Sequence, residues 1–434
     1  MEIPRGLRTY IYEQSARKRW VEERLLNVFF RWGFQEIITP AFEYLDTFSA
    51  GLALSKAEGI NGESSDSTGS LYSTVSLNRV FKFTERGTGR LLALRPDITP
   101  QIARTAATLL KDSPMPLRLC YCGNVFRGAD PGTGESQEVY QAGVELIGLD
   151  SAEADAETIA IAVECMKELG LKGFKVAIGQ IEFFKGMLSD IEPDMRGEIS
   201  LRIHKKDTSG LEDILQRGKI RAEKRERIKK IPSLFGGREV IDMGRETADN
   251  PLSLGAIDNL ERVYRTLVSY GVEDSVLIDL GEIRGFGYYT GIIFEGFIKG
   301  IGSEICGGGR YDNLLERYGA KMTATGFAVD INRVIEALEK RGEAEALPCT
   351  TDYLVIDFRE DKKIALEVSR RLREKGCRVA RDIIKRGLEG SLQYAEKMNI
   401  KRAIIMGTED LGEDEAVVRE ISTGEEKRVR IEEL

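Results

Sequence analysis

The sequence predicts an α+β protein in which an antiparallel sheet carries flanking helices and a helical insertion, followed by a separate C-terminal α/β domain. Three observations lead to this prediction. Leu117–Gly148 contains two β-rich runs joined by a Gly/Pro/Asp-rich turn. Residues from about 181 to 272 have helical patterning throughout. Residues 351–434 alternate short strands with helices, as small α/β domains do.

The composition is that of an ordinary soluble globular protein. The 434 residues are 42% hydrophobic and 31% charged, which is enough for two or three domains. No stretch reaches the roughly 20 apolar residues of a membrane span, and the first residues lack the apolar core of a signal peptide. We therefore expect a cytoplasmic protein without membrane contact. The net charge of −8 gives no general attraction for nucleic acid, although it leaves local basic patches possible.

Histidine and cysteine usage excludes several kinds of site. The single histidine, His204, lies among Arg202, Lys205 and Lys206, so we interpret it as a solvated surface residue. Histidine-dependent triads and histidine-rich metal centres are therefore not expected. The six cysteines are scattered, and nothing near Cys120 and Cys122 completes a zinc ligand set, so we predict no metal.

The N-terminal part predicts a helix, a short strand and then a loop. Glu13–Trp32 has one apolar stripe at helical spacing, Gly33 fits a C-terminal cap, and Ile37–Thr39 is a β-branched run before Pro40. Residues 58–76 are rich in Gly and Ser, with little to bury, and predict a flexible surface loop.

Further strands lead to the central pair. We expect strands at Val80–Glu85 and Leu91–Leu94 and a helix after them, with Thr99 and Pro100 in its first turn. The central strands are Leu117–Arg127 and Glu138–Ile147.

The second central strand carries polar residues on one face. Gln141 and Glu145 alternate with apolar residues, so their side chains point the same way. With Arg127 at the end of the first strand, they would present an amide, a carboxylate and a guanidinium to a small polar ligand. Polar groups buried on such a strand need a partner or cost several kcal/mol each. The alternative is that they only satisfy one another inside a large sheet.

The rest of the first domain alternates helices and strands. The run Asp150–Glu153 has the spacing of a capping box and predicts a helix to Leu169, followed by strands at Phe174–Ile178, Ser275–Leu280, Tyr288–Phe294 and Ser303–Cys306. Two glycine groups, at 284–287 and 307–310, lack a dinucleotide-binding context and favour close backbone approach in a sheet. A helix beginning near Thr325 would carry Asp330 and Arg333.

The C-terminal region predicts a separate module. We place the first domain at residues 1–340, a linker at 341–350 and an α/β domain at 351–434. The closing elements of that domain are a strand at Arg402–Met406 and a hairpin formed by Ala416–Ile421 and Arg428–Ile431.

Several motifs resemble known proteins. The strand–turn–strand around FR…YQAGVE, the helix–Gly–strand–Pro unit before it and GFAVDINR after it resemble the three class II aminoacyl-tRNA synthetase motifs. LRPDIT, QAGVELIG, EIRGFGYYTG and CGGGRYDNL look like histidyl-tRNA synthetase, nearly end to end, and the C-terminal module is similar to that family's anticodon-binding domain. The resemblance implies a fold, whereas the reaction depends on the residues at the site.

This resemblance implies an amino-acid pocket for histidine. Its residues would be Asp97, Thr99, Arg127, Gln141, Glu145, Arg284, Tyr288 and Tyr289. They supply carboxylates for an ammonium group, arginine for a carboxylate, and polar groups with aromatic walls for an imidazole. Asp97 stands where the synthetases usually have Glu, whose side chain is one methylene longer.

The ATP side departs from the synthetase pattern. Ala129 replaces the Glu that holds adenine in Phe-Arg-x-Glu, and Glu135, Gln137 and Val139 replace the motif-2 arginines and phenylalanine. Asp330 stands where the third motif has a glycine. A carboxylate there would repel a triphosphate by ~1 kcal/mol or more. Arg333 is retained, but one arginine does not replace the adenine clamp.

A kept histidine pocket beside a changed ATP site resembles the regulatory subunits of ATP phosphoribosyltransferase, a family of histidyl-tRNA synthetase paralogues. LRPDITPQIAR, VYQAGVELIG and GFAVDINR match that family more closely. The resemblance implies no catalytic residues and no cofactor in this chain, L-histidine as feedback ligand, and a short-form catalytic subunit as partner in the first step of histidine biosynthesis. It also implies a homodimer through Glu13–Pro40, within a hetero-oligomer. The alternatives are a histidine–tRNA ligase and an RNA-binding module that uses the C-terminal domain.

Overall fold

The structure is a computed structural model that describes residues 2–52, 77–128, 136–218, 220–283, 289–341, 351–384 and 386–434. These residues form two compact units. The first takes those within Met1–Thr9 and Lys18–Glu343, and the second those within Tyr10–Arg17 and Ala344–Leu434. The predicted loop at 58–76 lies outside the described residues, as does nearly all of the predicted linker at 341–350. The predicted domain bounds therefore stay a prediction.

The first unit consists of strands and helices that follow one another along the chain. The strands are β1 Gln35–Glu36, β2 Phe42–Tyr44, β3 Lys82–Thr84, β4 Leu91–Leu94, β5 Leu117–Phe126, β6 Glu138–Ile147, β7 Lys175–Gln180, β8 Phe235–Gly236, β9 Val276–Asp279, β10 Ile292–Phe297, β11 Cys306–Arg310 and β12 Ala324–Asp330. The helices are α1 Glu13–Arg31, which belongs to this unit from Lys18 onward, α2 Leu45–Leu52, α3 Thr99–Thr108, α4 Ala152–Glu168, α5 Ile181–Met187, α6 Pro193–His204, α7 Thr208–Arg217, α8 Ala222–Lys230, α9 Glu239–Thr247, α10 Pro251–Ser269 and α11 Ile331–Arg341. No helix in the described ranges is long and apolar enough to cross a membrane.

A largely antiparallel sheet organises the first unit. Within the described ranges it has nine strands, in the order β1-β5-β6-β12-β11-β10-β7-β9-β8, and only the β1–β5 and β7–β9 pairs are parallel. The β5–β6 pairing runs from Leu117 opposite Ile147 to Phe126 opposite Glu138. Strand β6 therefore lies between β5 and β12, and its side chains on one face meet residues of both neighbours.

Local sequence accounts for the ends of several elements. The stripe of α1 buries Val21, Leu25, Val28 and Phe29, and Gly33 follows it with a φ of 77°, the left-handed conformation that glycine adopts readily. Ser151 caps α4, because its side chain accepts a hydrogen bond from the Ala154 amide.

Four sequence predictions are wrong in detail. The short strand after α1 is Gln35–Glu36 and not Ile37–Thr39, although the Ile37 amide still donates to the Cys120 carbonyl. The region 181–272 includes the two-residue strand β8 among its helices. The glycine group that starts at Gly307 belongs to β11, which we had expected to end at Cys306. Residues 324–330 form β12 and not the start of a helix.

Both errors around β11 and β12 have physical causes. Gly308 is in β11 because a Cβ there would collide with the backbone of Gly326 and Phe327, so only glycine lets the two strands approach. The helix α11 begins late because Asp330 starts it: the Asp330 Oδ1 atom accepts a hydrogen bond from the Arg333 amide at 3.1 Å.

The second unit is a small α/β domain. Its strands are β13 Tyr353–Asp357, β14 Val379–Arg381, β15 Arg402–Met406, β16 Glu415–Glu420 and β17 Glu426–Arg430, and its helices are α12 Lys363–Glu374 and α13 Leu388–Lys397. The described strands are ordered β14-β13-β15-β16-β17, with β14, β13 and β15 parallel. Val355 packs with residues of α12 and Ile356 with residues of α13, so the helices cover opposite faces of this sheet.

Candidate functional site

Gln141 and Glu145 lie on the same face of β6, as the alternation predicts. Each side chain is 1% exposed. Gln141 is opposite Gly123 of β5 and Asp330 of β12, and Glu145 is opposite Leu119 and Gly326. The Glu145 carboxyl group occupies the space above Gly326, and the Arg95 guanidinium occupies the space above Gly123. Polar side chains are therefore packed close together on this face, around Gln141 and Glu145.

Two hydroxyl groups hold the Glu145 carboxyl group. Thr99 Oγ1 donates to Glu145 Oε1 at 2.7 Å, and the Tyr311 hydroxyl donates to Glu145 Oε2. Burial raises the pKa of Glu145 to about 8, and the nearby Asp97 adds to the increase, while the Tyr311 and Thr99 hydrogen bonds oppose it. Glu145 can therefore carry a proton near neutral pH.

Asp97 and Thr99 lie at the start of α3, beside Glu145. The Thr99 amide donates to Asp97 Oδ1 at 3.3 Å, which fixes the carboxylate next to the helix start. Asp97 is half-buried and Thr99 bonds Glu145, so a carboxylate and a hydroxyl border the same space. This arrangement suits a cationic or hydrogen-bond-donating ligand group.

Aromatic side chains border the same space. Tyr289 is 7% exposed, and Tyr121, on β5, is 2% exposed. Burial raises the pKa of both hydroxyls well above the usual value, and the charges of Asp97 and Glu145 raise them further. Both tyrosines therefore stay neutral, as hydroxyl donors or apolar walls, across the physiological range.

Gln141 has a buried amide oxygen that forms no hydrogen bond with the described residues. Leaving such an acceptor unsatisfied costs about 1–3 kcal/mol. A ligand with an N–H group at this position would remove that cost.

Arg127 is held at the edge of the same face. Its Nε donates to the Pro96 carbonyl oxygen at 2.8 Å, and its amide donates to the Gln137 carbonyl oxygen at 2.9 Å. Its charge also weakly opposes the burial-driven increase in the pKa of Asp330, so the two side chains lie near each other. Arg127 thus places a guanidinium beyond Gln141, where a ligand carboxylate could bind.

Past Gln141, Arg333 lies between two buried carboxylates. Its Nη1 atom is 3.2 Å from Glu304 Oε1, and its Nε atom is 3.4 Å from Asp330 Oδ2. It also donates to the Glu304 carbonyl oxygen at 2.6 Å. Burial raises the pKa of Asp330, and Arg333 is the main group opposing this. The positive charge of Arg333 is therefore largely neutralised within the protein.

The structure brings together six of the eight predicted site residues. These are Asp97, Thr99, Arg127, Gln141, Glu145 and Tyr289. Arg284 and Tyr288 lie outside the described residues, as do Ala129 and Glu135 of the predicted ATP side. Whether the six bind histidine stays a prediction.

Comparison with known proteins identifies the family. A family model described as histidyl-tRNA synthetase matches residues 6–60 and 62–334, and one described as an anticodon binding domain matches residues 348–434. An ATP phosphoribosyltransferase regulatory subunit from Geobacter sulfurreducens is 40% identical over 99% of this chain and 93% of its own length. One from Geobacter metallireducens is 42% identical over 96% and 92%. The chain belongs to the histidyl-tRNA synthetase-like family of ATP phosphoribosyltransferase regulatory subunits.

Solved structures agree with this family. A crystal structure described as an ATP phosphoribosyltransferase regulatory subunit/histidyl-tRNA synthetase from Bacillus halodurans has a TM-score of 0.80 and 29% identity, covering 94% of this chain and 99% of that one. A histidyl-tRNA synthetase from Nostoc sp. PCC 7120 has a TM-score of 0.81 at 23% identity, covering 100% and 98%, and shows the shared fold. The predicted family and fold class are thus confirmed.

Four residues of this site were not predicted from the sequence. Tyr311 bonds Glu145, and Tyr121 hydrogen-bonds Thr99. Gly326 leaves the space that Glu145 occupies, and a Cβ on Gly143 would lie 2.6 Å from the Tyr121 hydroxyl oxygen. Tyr121 could have been found, because it is opposite Gly143 on the face that Glu145 shares. Tyr311 lies within the motif CGGGRYDNL, but it follows β11 in an irregular segment, so no strand alternation indicates that its side chain meets Glu145.

Proposed function

We propose that this chain is a non-catalytic regulatory subunit of ATP phosphoribosyltransferase that binds L-histidine at the Glu145 site. It would be required for the activity of a short-form catalytic subunit and would transmit feedback inhibition of the first step of histidine biosynthesis. The observation that carries the proposal is the contrast on one sheet face. Gln141 and Glu145 offer buried polar groups to a ligand, whereas Arg333 is already paired with Asp330 and Glu304.

The described groups match the chemistry of histidine. Asp97 and the Gln141 amide oxygen would accept hydrogen bonds from the ammonium group, and Arg127 would bind the carboxylate. Glu145, between Thr99 and Tyr311, would meet the imidazole ring. The names of relatives at about 40% identity over almost the whole chain support the regulatory role.

Calorimetry of the chain with histidine, alone and with a short catalytic subunit, tests this proposal. We expect phosphoribosyl transfer to ATP only when both polypeptides are present, and inhibition by histidine. Gln141→Leu should weaken histidine binding about tenfold, the effect of one lost hydrogen bond. It should leave a complex that is active but less sensitive to histidine. Gln216→Leu, on the exposed surface of α7, is the control and should change neither property. Absence of histidine binding to the chain and to the complex would refute the proposal.

A second candidate is a histidine–tRNA ligase, because the anticodon-binding domain matches over residues 348–434. Robust histidine-dependent ATP–pyrophosphate exchange by the chain alone would favour the ligase. A binding role on RNA would instead produce a salt-dependent affinity for tRNA without exchange. Asp330 beside Arg333 argues against triphosphate binding, so we expect no exchange activity.

A further inference from the structure

Both oxygens of Glu145 are bonded by hydroxyl groups from separate parts of the chain. Thr99 is at the start of α3 and bonds Oε1, whereas Tyr311 follows β11 and bonds Oε2. Tyr311 is 3% exposed, so this hydrogen bond lies inside the protein. Two donors on two oxygens fix the plane of a carboxyl group, which one donor does not.

Packing around Glu145 reinforces this arrangement. Gly326 lies directly opposite on β12, and a Cβ there would collide with Glu145 Oε2. On the other side, Tyr121 hydrogen-bonds Thr99 and thus holds one of the two donors in place. The carboxyl group is therefore positioned by a hydroxyl network that extends over β5, α3 and the segment after β11.

We propose that Tyr311 is a positioning residue that orients the Glu145 carboxyl group toward the imidazole ring of bound histidine. This inference rests on the proposed function and adds a residue to it. Tyr311 acts through Glu145, because its hydroxyl group is already engaged by the carboxyl oxygen. Among the described residues, its removal leaves Thr99 as the hydrogen-bond donor to Glu145, and one donor lets the carboxyl group rotate.

Orientation matters because the carboxyl group and the ring share a proton. Burial raises the pKa of Glu145 to about 8, and the titratable groups that face it within the described part of the chain are Asp97, Tyr121, Tyr289 and Tyr311. On binding, the Glu145 O–H bond breaks and an N–H bond forms on the neutral imidazole, giving a carboxylate–imidazolium pair. Below about pH 6.5 the imidazole of free histidine is already protonated, so forming the carboxylate–imidazolium pair requires Glu145 to release its proton to solvent. Above about pH 8 Glu145 has lost it. Histidine affinity should therefore be highest between these values.

The test compares Tyr311→Phe with the wild type by calorimetry at several pH values from about 6 to about 9.5, a range that brackets both titrations. We expect about tenfold weaker histidine binding, because a hydrogen bond to an ionised group is lost. The alkaline limit of binding should move to higher pH, because the lost donor opposed the increase in the Glu145 pKa. Tyr44→Phe is the matched control. It removes a tyrosine hydroxyl group that contacts Glu85 Oε2 at 3.4 Å, and it should leave affinity and pH profile unchanged.

A second measurement tests Tyr311 without histidine. Glu145 has a higher pKa in the folded state than the ~4.3 of an unfolded chain, so the free energy of unfolding should fall as pH rises to about 8 and then level. Glu145→Gln should abolish this fall, and Tyr311→Phe should extend it to higher pH. If the wild type fails to bind histidine, the proposed function fails, and urea denaturation still decides whether Tyr311 controls Glu145. Identical pH dependence in wild type and Tyr311→Phe would overturn the inference.

Discussion

At the scale of single residues, Arg333 shows how a retained side chain can acquire a different role. Asp330 and Glu304 are 5% and 3% exposed at their side chains, and Arg333 is 16% exposed between them. A cation held in this way balances charges that the protein itself has buried. Its attraction for an incoming phosphate is reduced by the same two carboxylates.

Replacing Arg333 should therefore destabilise the fold. Arg333→Met leaves Asp330 and Glu304 buried without their shared cation, and we expect the free energy of unfolding to fall by about 3 kcal/mol in urea denaturation. The double variant Arg333→Met/Asp330→Asn removes one of the two buried carboxylate charges. Its loss should be smaller than that of Arg333→Met alone. A loss below about 0.5 kcal/mol for the single variant, the range of surface substitutions, would show that the pairing contributes little.

At the scale of secondary-structure elements, Arg310 joins the end of β11 to the start of α4. Its guanidinium donates to both oxygens of Asp155 at 3.1 Å from Nε, and to the carbonyl oxygens of Leu149 and Ser151 at 3.1 and 3.2 Å. The Arg310 and Asp155 side chains are 7% and 1% exposed. One planar group thus binds a helical residue and the segment that leads into the helix.

Lysine should not replace Arg310, because an ammonium group does not reproduce the planar fork. For Arg310→Lys we expect a loss of about 3 kcal/mol in the free energy of unfolding, since the buried Asp155 carboxyl group loses the bidentate contact that opposes the burial-driven increase in its pKa. Arg317→Lys, an exposed arginine in the same region, is the control and should change stability by less than about 0.5 kcal/mol. Equal effects of the two substitutions would contradict this role of Arg310.

These elements also show what the sequence could predict. Alternation on β6 placed Gln141 and Glu145 correctly on one face, because strand periodicity depends only on local geometry. It did not give the bounds of β11, since Gly307–Gly309 have no side chains to alternate, and the need for glycine arises from contacts of Gly308 with Phe327 and of Gly309 with Tyr289. Tyr311 was not predicted as a site residue because its hydrogen bond to Glu145 joins residues that are 166 positions apart in the sequence. Contacts that depend on sheet order are not visible in a local pattern.

At the scale of the whole molecule, the two units differ in what they bury. In the described residues the first has one large apolar core, which extends from Val21 on α1 to Leu338 on α11, and a small separate cluster of Phe48, Val80 and Ala93. The second has two separate clusters, one on each face of its sheet. The residues of the Glu145 site all belong to the first unit, so histidine binding is expected to depend on that core.

The predicted homodimer through Glu13–Pro40 is the last property to test. Two large apolar side chains of this region face solvent in the single chain, Phe30 at 46% and Ile38 at 85% exposed. Burying Ile38 in a dimer would contribute about 1.5–3 kcal/mol. Ile38→Glu should therefore weaken dimerisation at least tenfold. Light scattering should give twice the 48.5 kDa chain mass for the wild type and a lower mass for the variant on dilution. Ile383→Glu is the matched control, because Ile383 is 80% exposed but lies outside this region. A monomeric wild type would exclude this interface. Equal disruption by both substitutions would also exclude it, because loss of any exposed apolar side chain would then explain the result.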